Sequence, residues 1–185
     1  MRGDSRPKPG SAAALAAEEN PEESARATVL RRLASAPRTR KDLADDLSRR
    51  GVPDEVIERV LDRFTEVGLI DDAEYARLWV GSRHRSKGTT RSSLKYELRA
   101  KGITDQDAFD ALDEIDDDTE RARGVALVRS KMSSTAHLEP TARVRRLVTL
   151  LLRRGYRHGE AASIVAEVLG AEAVEVDTLS GIDLD

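Results

Sequence analysis

The residues with most chemical potential in this 185-residue chain are cations set at helical spacing. Arg91, Lys95 and Arg99 stand at i, i+4 and i+8, which places them in one stripe beside the Leu94/Leu98 stripe of the same helix. Around them, Arg77 to Lys101 holds eight basic residues and one acid, Glu97. Gly102 to Glu120 reverses the sign with nine acids and no Lys or Arg, and Pro140 to Arg157 returns to six arginines and no acid. Such a stripe suits a phosphate backbone, an acidic protein surface, or a composite of the two. The competing reading is structural: the acid-rich stretch pairs internally with the basic helices. The candidate contact residues are Arg83, Arg85, Lys87, Arg91, Lys95, Arg99 and Lys101, joined by Arg146, Arg153 and Arg154.

Catalytic constellations fail on spacing. Gly81 to Gly88, GSRHRSKG, has glycines and a lysine, but Lys87 precedes Gly88 and no strand leads in, so a phosphate-cradling loop is missing. His84, His137 and His158 lack an i+4 metal partner, and the chain has no cysteine, which removes disulfides, thiol catalysis and thiolate zinc. Ser82 and His84 diverge on a helix, and the acids at Asp71-Asp72 and Asp116-Asp118 fit helix starts. The expectation is a protein without catalytic centre, metal or cofactor. Tyr75 and Trp79, at i and i+4, read as core, with a contact role beside the basic run left open.

The elements that must position these cations are helices. Apolar residues keep a helical period and almost nothing alternates as a strand would. Three blocks, 41–64, 92–115 and 145–168, align without a gap on the pairs Leu43/Leu47, Leu94/Leu98 and Leu147/Leu151, followed by Gly51, Gly102 and Gly155 at offsets of 51 and 53. A further helix precedes each block, at about 24–36, 71–87 and 117–132. Thr39 and Thr90 precede helices, while Asp71 with Glu74 and Asp117 with Glu120 fit an N-cap with an acid at N3. The fold class is therefore all-α: three tandem three-helix repeats forming an elongated curved array, because units this small must stack to cover their apolar faces. The divisions are 1–22, a disordered arm; 23–69, 70–116 and 117–169, the repeats; and 170–185, a solvated acidic tail with five acids and no Lys or Arg.

The repeats supply an internal control. The positions equivalent to Arg91, Lys95 and Arg99 are Arg40, Ala44 and Ser48 in the first repeat and Val144, Val148 and Leu152 in the third. Stacking alone therefore does not require the cations. In the third repeat the apolar substitutes point to packing, with Arg143, Arg146, Arg153 and Arg154 left outward. Six aromatics spread singly make no base-stacking sheet. The longest nearly apolar run, Leu147–Leu152, is far short of a membrane span of about 20 residues, and no secretory h-region forms near the N-terminus, which points to the cytoplasm.

Leu69 to Ile103, LIDDAEYARLWVGSRHRSKGTTRSSLKYELRAKGI, closely resembles the hallmark of the RecX recombination regulators: the Asp-Asp start, Tyr75-Ala76, the Trp79 helix, basic residues ending in Lys87-Gly88, Leu98, and the Lys101-Gly102-Ile103 close. Three tandem three-helix repeats are also the family's plan, so the resemblance covers about residues 24–169. It implies a non-enzymatic negative modulator of RecA acting in DNA recombination, repair and the SOS response. Such a protein binds the RecA filament on single-stranded DNA, lodges in its groove, and depresses ATP hydrolysis, strand exchange and co-protease activity; the chain itself is expected to be a monomer. Two other functions stay open: a helix-turn-helix-like regulator that reads duplex DNA, and a structural scaffold for another protein.

Overall fold

A computed structural model of the chain describes residues 20–113 and 115–170. The expected acidic tail from residue 171, and the expected arm as far as residue 19, lie outside the described residues. Among the described residues there are nine α-helices and no strand. They are α1 (Pro21–Ser35), α2 (Arg40–Arg49), α3 (Asp54–Glu66), α4 (Asp72–Lys87), α5 (Arg91–Ala100), α6 (Asp105–Leu112), α7 (Asp117–Arg129), α8 (Pro140–Leu152) and α9 (His158–Leu169). A single 3-10 turn, Ser133–Thr135, stands between α7 and α8.

Local chemistry starts and stops these helices. Thr39 Oγ1 accepts from Asp42 N at 3.1 Å, and Asp71 Oδ1 accepts from Glu74 N at 2.7 Å. Each satisfies an amide that the first helical turn leaves open. Gly51, Gly102 and Gly155 have φ of 81°, 79° and 96°, the left-handed conformation that ends a helix and costs glycine least. Three boundaries differ from the periodicity. Asn20 caps α1 by accepting from Glu23 N, so Pro21 and Glu22 form its first turn rather than the end of an arm. The N-cap of α7 is Asp116, accepting from Thr119 N at 2.7 Å, not Asp117, because an aspartate one residue earlier reaches the open amide first. The same helix stops at Arg129, short of residue 132.

The leucine pairs do what their spacing demands: Leu43, Leu47, Leu94, Leu98, Leu147 and Leu151 are all at most 2% exposed. Each such side chain contributes about 1.5–3 kcal/mol on burial. The chain divides into two compact units, residues 20–77 with 98–108 and residues 78–97 with 109–170, so α4, α5 and α6 are each split between them. In the first unit α3 packs on α1 and α2 around Val29, Leu43, Leu47, Ile57, Leu61 and Phe64. In the second, α9 packs on α7 and α8 around Val128, Val144, Leu147, Leu151, Tyr156 and Ile164.

Candidate polyanion-binding clefts

Helix α8 is two-faced. Val144, Leu147, Val148 and Leu151 face the core of the second unit, leaving Arg145, Arg146, Thr149 and Leu150 on the other side, with Arg153 capping the helix beyond them. That outer side joins Lys131, Ser134, Thr135, Leu138 and Ala142 to line a cleft of about 730 Å³. A second cleft of about 370 Å³ is lined by Ser86, Lys87, Arg123, Ala126, Leu127, Ser130 and Arg154. The two share Lys131 and Leu150. Together they present seven cations, and among the described residues no carboxylate lines either. Among the described residues, none of those seven side chains makes an ion pair or a hydrogen bond. Among the described residues the Nε atoms of Arg123 and Arg154 are buried without a partner, a charged donor left short of an acceptor.

Specific contacts hold these walls in place. Arg143, expected outward, instead turns onto the 3-10 turn: its Nη2 donates to Met132 O at 3.2 Å and its Nε to Thr135 Oγ1 at 3.3 Å. This ties the turn carrying Ser134 to α8. Arg154 is fixed through its backbone, whose carbonyl accepts from Thr90 N at 2.9 Å. Gly155 makes that approach possible, since a Cβ there would run into Ser93 Oγ and Thr90 Oγ1. At the end of α4, His84 Nδ1 lies 3.1 Å from Thr89 O and donates to it, which assigns the ring proton to Nδ1. Glu120 accepts from Arg91 N, and Tyr156 Oη donates to Glu120 O at 2.9 Å. Burial raises the Glu120 carboxyl, against the lowering effect of the Arg91 amide, and burial likewise pushes the Tyr156 phenol up.

The structure sorts the ten expected contact residues. Lys87, Arg146, Arg153 and Arg154 line the clefts. Lys95 is exposed and, like the Arg91 side chain, makes no ion pair among the described residues. Arg85 is exposed and lies back over Gly81, where a Cβ would come within 2.9 Å of its Nη2. Arg83 stacks over the Trp79 ring at 4.3 Å and faces Glu97 at 3.6 Å, and the Trp79 indole donates to the same carboxylate at 2.8 Å. Arg99 grips Asp105, and Lys101 Nζ donates to Asp42 at 2.8 Å. Burial lowers the Lys101 ammonium pKa, but its bond to Asp42 and the neighbouring Tyr75 outweigh that and raise it. The acid-rich stretch meets this basic run at Arg99, through Asp105, whereas Arg83 and Lys101 are met by carboxylates outside that stretch, Glu97 and Asp42. Tyr75, at 9% exposure, is core as expected, whereas Trp79 is half-buried.

Three cleft cations escaped the sequence reading: Arg123, Lys131 and Arg145. A signal existed for the first two. Arg123, Leu127 and Lys131 stand at i, i+4 and i+8, the spacing that drew attention to Arg91, Lys95 and Arg99, but the nine acids just upstream masked it.

Family models describing the first and second three-helix domains of RecX match residues 25–64 and 71–112. Among curated relatives, the Regulatory protein RecX of Thermobifida fusca (strain YX) is 49% identical over 153 residues, 83% of each chain. That of Mycobacterium marinum is 48% identical over 157 residues, 84% of this chain and 90% of its own. That of Streptomyces coelicolor is 41% identical over 160 residues, 86% and 85%. A crystal structure of RecX from Lactobacillus salivarius superposes with a TM-score of 0.65 at 24% identity, covering 80% of this chain and 96% of the other. Another, of a regulatory protein RecX, gives 0.67 at 23% identity over 93% and 83%. These two likenesses concern the fold.

Proposed function

The chain belongs to the RecX family of regulatory proteins, and from that premise we propose that it is a negative regulator of the RecA recombinase. It binds the RecA filament on single-stranded DNA, lies in the filament groove as a monomer, and depresses ATP hydrolysis, strand exchange and co-protease activity. It does so in the cytoplasm by binding alone, without catalysis, nucleotide or metal of its own.

One observation carries this reading: seven cations, free of ion pairs among the described residues, surround two clefts in the second unit that no described carboxylate lines. Uncompensated positive charge of that density costs self-repulsion in the free protein and is relieved by a negatively charged polymer. Arg91 and Lys95 extend the available charge on α5, whereas Arg99 and Lys101 are already neutralised.

The test is RecA ATPase on single-stranded DNA with the full chain and with a variant carrying Arg145→Ala, Arg146→Ala and Arg153→Ala. The wild-type chain is expected to inhibit below stoichiometry and the triple variant to lose that inhibition while keeping its helical circular dichroism. Three lost phosphate contacts also flatten the salt dependence of single-strand binding by about 2 in slope, at roughly 0.7 per phosphate. Undiminished inhibition by a folded triple variant overturns the site. Preference for one duplex sequence, seen as a footprint, supports the helix-turn-helix alternative instead.

A further inference from the structure

The larger cleft is not only basic. Leu138, Ala142 and Leu150 give it an apolar lining between the cations Lys131, Arg145 and Arg146. A bare phosphate chain uses the cations and leaves that lining uncovered. A ligand using both is an acidic peptide with aliphatic side chains. The chain contains one: residues 171–185, AEAVEVDTLSGIDLD, hold five carboxylates, no cation, and Val174, Val176, Leu179, Ile182 and Leu184. Acid and aliphatic residues alternate over Val174-Glu175-Val176-Asp177 and again over Ile182-Asp183-Leu184-Asp185. Laid out extended, such a sequence offers one apolar edge and one acidic edge.

The direction of α9 brings this segment to the cleft. Glu160 acts electrostatically on Glu120, a Cβ at Gly124 would meet Ile164 Cδ1 at 2.8 Å, and Val168 packs on the cluster that contains Val128. Tyr156, just before α9, bonds to Glu120 in the first turn of α7, and Ile164 in mid-α9 lies against Gly124 in mid-α7, so α9 runs in the same direction as α7 and its last turn heads toward the end of α7. Lys131, which lines both clefts, follows α7 by two residues. Fifteen residues reach about 50 Å when extended, well beyond the roughly 15 Å that α8 covers from Ala142 to Leu152.

We propose that residues 171–185 dock in this cleft in cis and that an incoming polyanion must displace them. Docking stands on charge complementarity, the aliphatic pattern and the course of α9; the competition alone rests on the polyanion reading of the cleft. Effective concentrations of tethered segments are of millimolar order, so a weak cis contact weakens polyanion binding by about two- to tenfold.

Two measurements on the full chain separate these parts. The chain has no cysteine, so Ser134→Cys with Ser180→Cys provides the only two thiols. Mild oxidation is expected to join them within one molecule faster than it joins Ser163→Cys with Ser180→Cys, and 1 M NaCl or added Arg145→Ala and Arg146→Ala is expected to abolish the difference. Equal rates for the two pairs, or an advantage insensitive to salt and to those alanines, overturn docking. Separately, Glu172→Gln, Glu175→Gln, Asp177→Asn, Asp183→Asn and Asp185→Asn together are expected to tighten binding of a fluorescein-labelled oligothymidylate about two- to tenfold. Unchanged affinity overturns the competition. Absence of binding by both chains overturns the competition and the polyanion reading together, while the oxidation rates still decide docking.

Discussion

Arg99 holds Asp105 through two bonds, Nε to Oδ1 at 2.8 Å and Nη2 to Oδ2 at 3.2 Å. This fork-to-carboxylate arrangement raises the Arg99 pKa and takes one cation out of the Arg91, Lys95, Arg99 stripe. Asp105→Asn is therefore expected to steepen the salt dependence of single-strand binding, because it releases a charge. Arg99→Ala is expected to leave RecA inhibition close to wild type. Loss of inhibition in Arg99→Ala comparable with the loss in the cleft triple variant contradicts this division of roles.

Gly51 and Gly155 occupy equivalent repeat positions with φ of 81° and 96°, yet their surroundings differ. Among the described residues nothing lies within 4 Å of a Cβ at Gly51, whereas one at Gly155 collides with Ser93 and Thr90. Gly51→Ala is expected to cost about 1–2 kcal/mol from backbone strain alone. Gly155→Ala adds an overpacking cost of about 1–3 kcal/mol. Urea denaturation of the two variants measures the gap, and equal losses refute the close approach of α5 to the turn after α8.

Asp46 is the hub of a cluster: Arg32 Nε at 2.8 Å, Arg50 Nε at 3.4 Å and Arg49 Nη2 at 3.5 Å, with the carboxylate side chain 13% exposed. Burial alone raises its pKa, but the bonds from Arg32 and Arg50 outweigh that and lower it. A carboxyl whose folded pKa lies below its unfolded value gives stability above the ordinary carboxylate range and loses it as pH falls through the folded value. Asp46→Asn is expected to cost about 1–3 kcal/mol at neutral pH. Thermal unfolding from pH 7 to pH 2.5 is expected to show the difference shrinking in acid; a gap that persists there counts against the assignment.

Glu120 has the opposite sign. Its folded pKa is raised, chiefly by burial, so its contribution is full below the unfolded carboxylate value and is lost as pH rises through the folded value. Glu120→Gln keeps an oxygen to accept from Arg91 N and removes the ionisation. Its stability relative to wild type is expected to grow from pH 4 toward neutrality and then level off. A gap constant across that range argues against a desolvated carboxyl.

Trp79 is the chain's single tryptophan, bonded to Glu97 at 2.8 Å with Arg83 stacked at 4.3 Å. Trp79→Phe removes the indole donor and weakens the cation–π contact, a loss of about 1 kcal/mol in denaturation midpoints. A loss of 4 kcal/mol or more instead assigns Trp79 to the core proper.

Helix content, the leucine pairs and most helix limits were legible in the sequence because each depends on neighbours within about one helical turn. Leu94 and Leu98 at i and i+4 share a face whatever surrounds them, and the amide of Glu74 needs its oxygen from Asp71 three residues away. The α7 cap was read one residue late because Asp116, Asp117 and Asp118 are adjacent and only backbone conformation distinguishes them: φ −87° and ψ 173° make Asp116 the cap.

The sequence by itself determined that the chain is built from helical triplets rich in segregated charge. Tertiary structure decided which charges remain available. Lys101 meets Asp42 across 59 residues, and no local period reports such a pairing. Arg123 and Lys131 join Arg145, Arg146 and Arg153 through the packing of α7, α8 and the turn between them. The physical reason is one of range: a helix is set by bonds four residues long, whereas a charge is neutralised or left free by whatever the fold brings within about 4 Å of it.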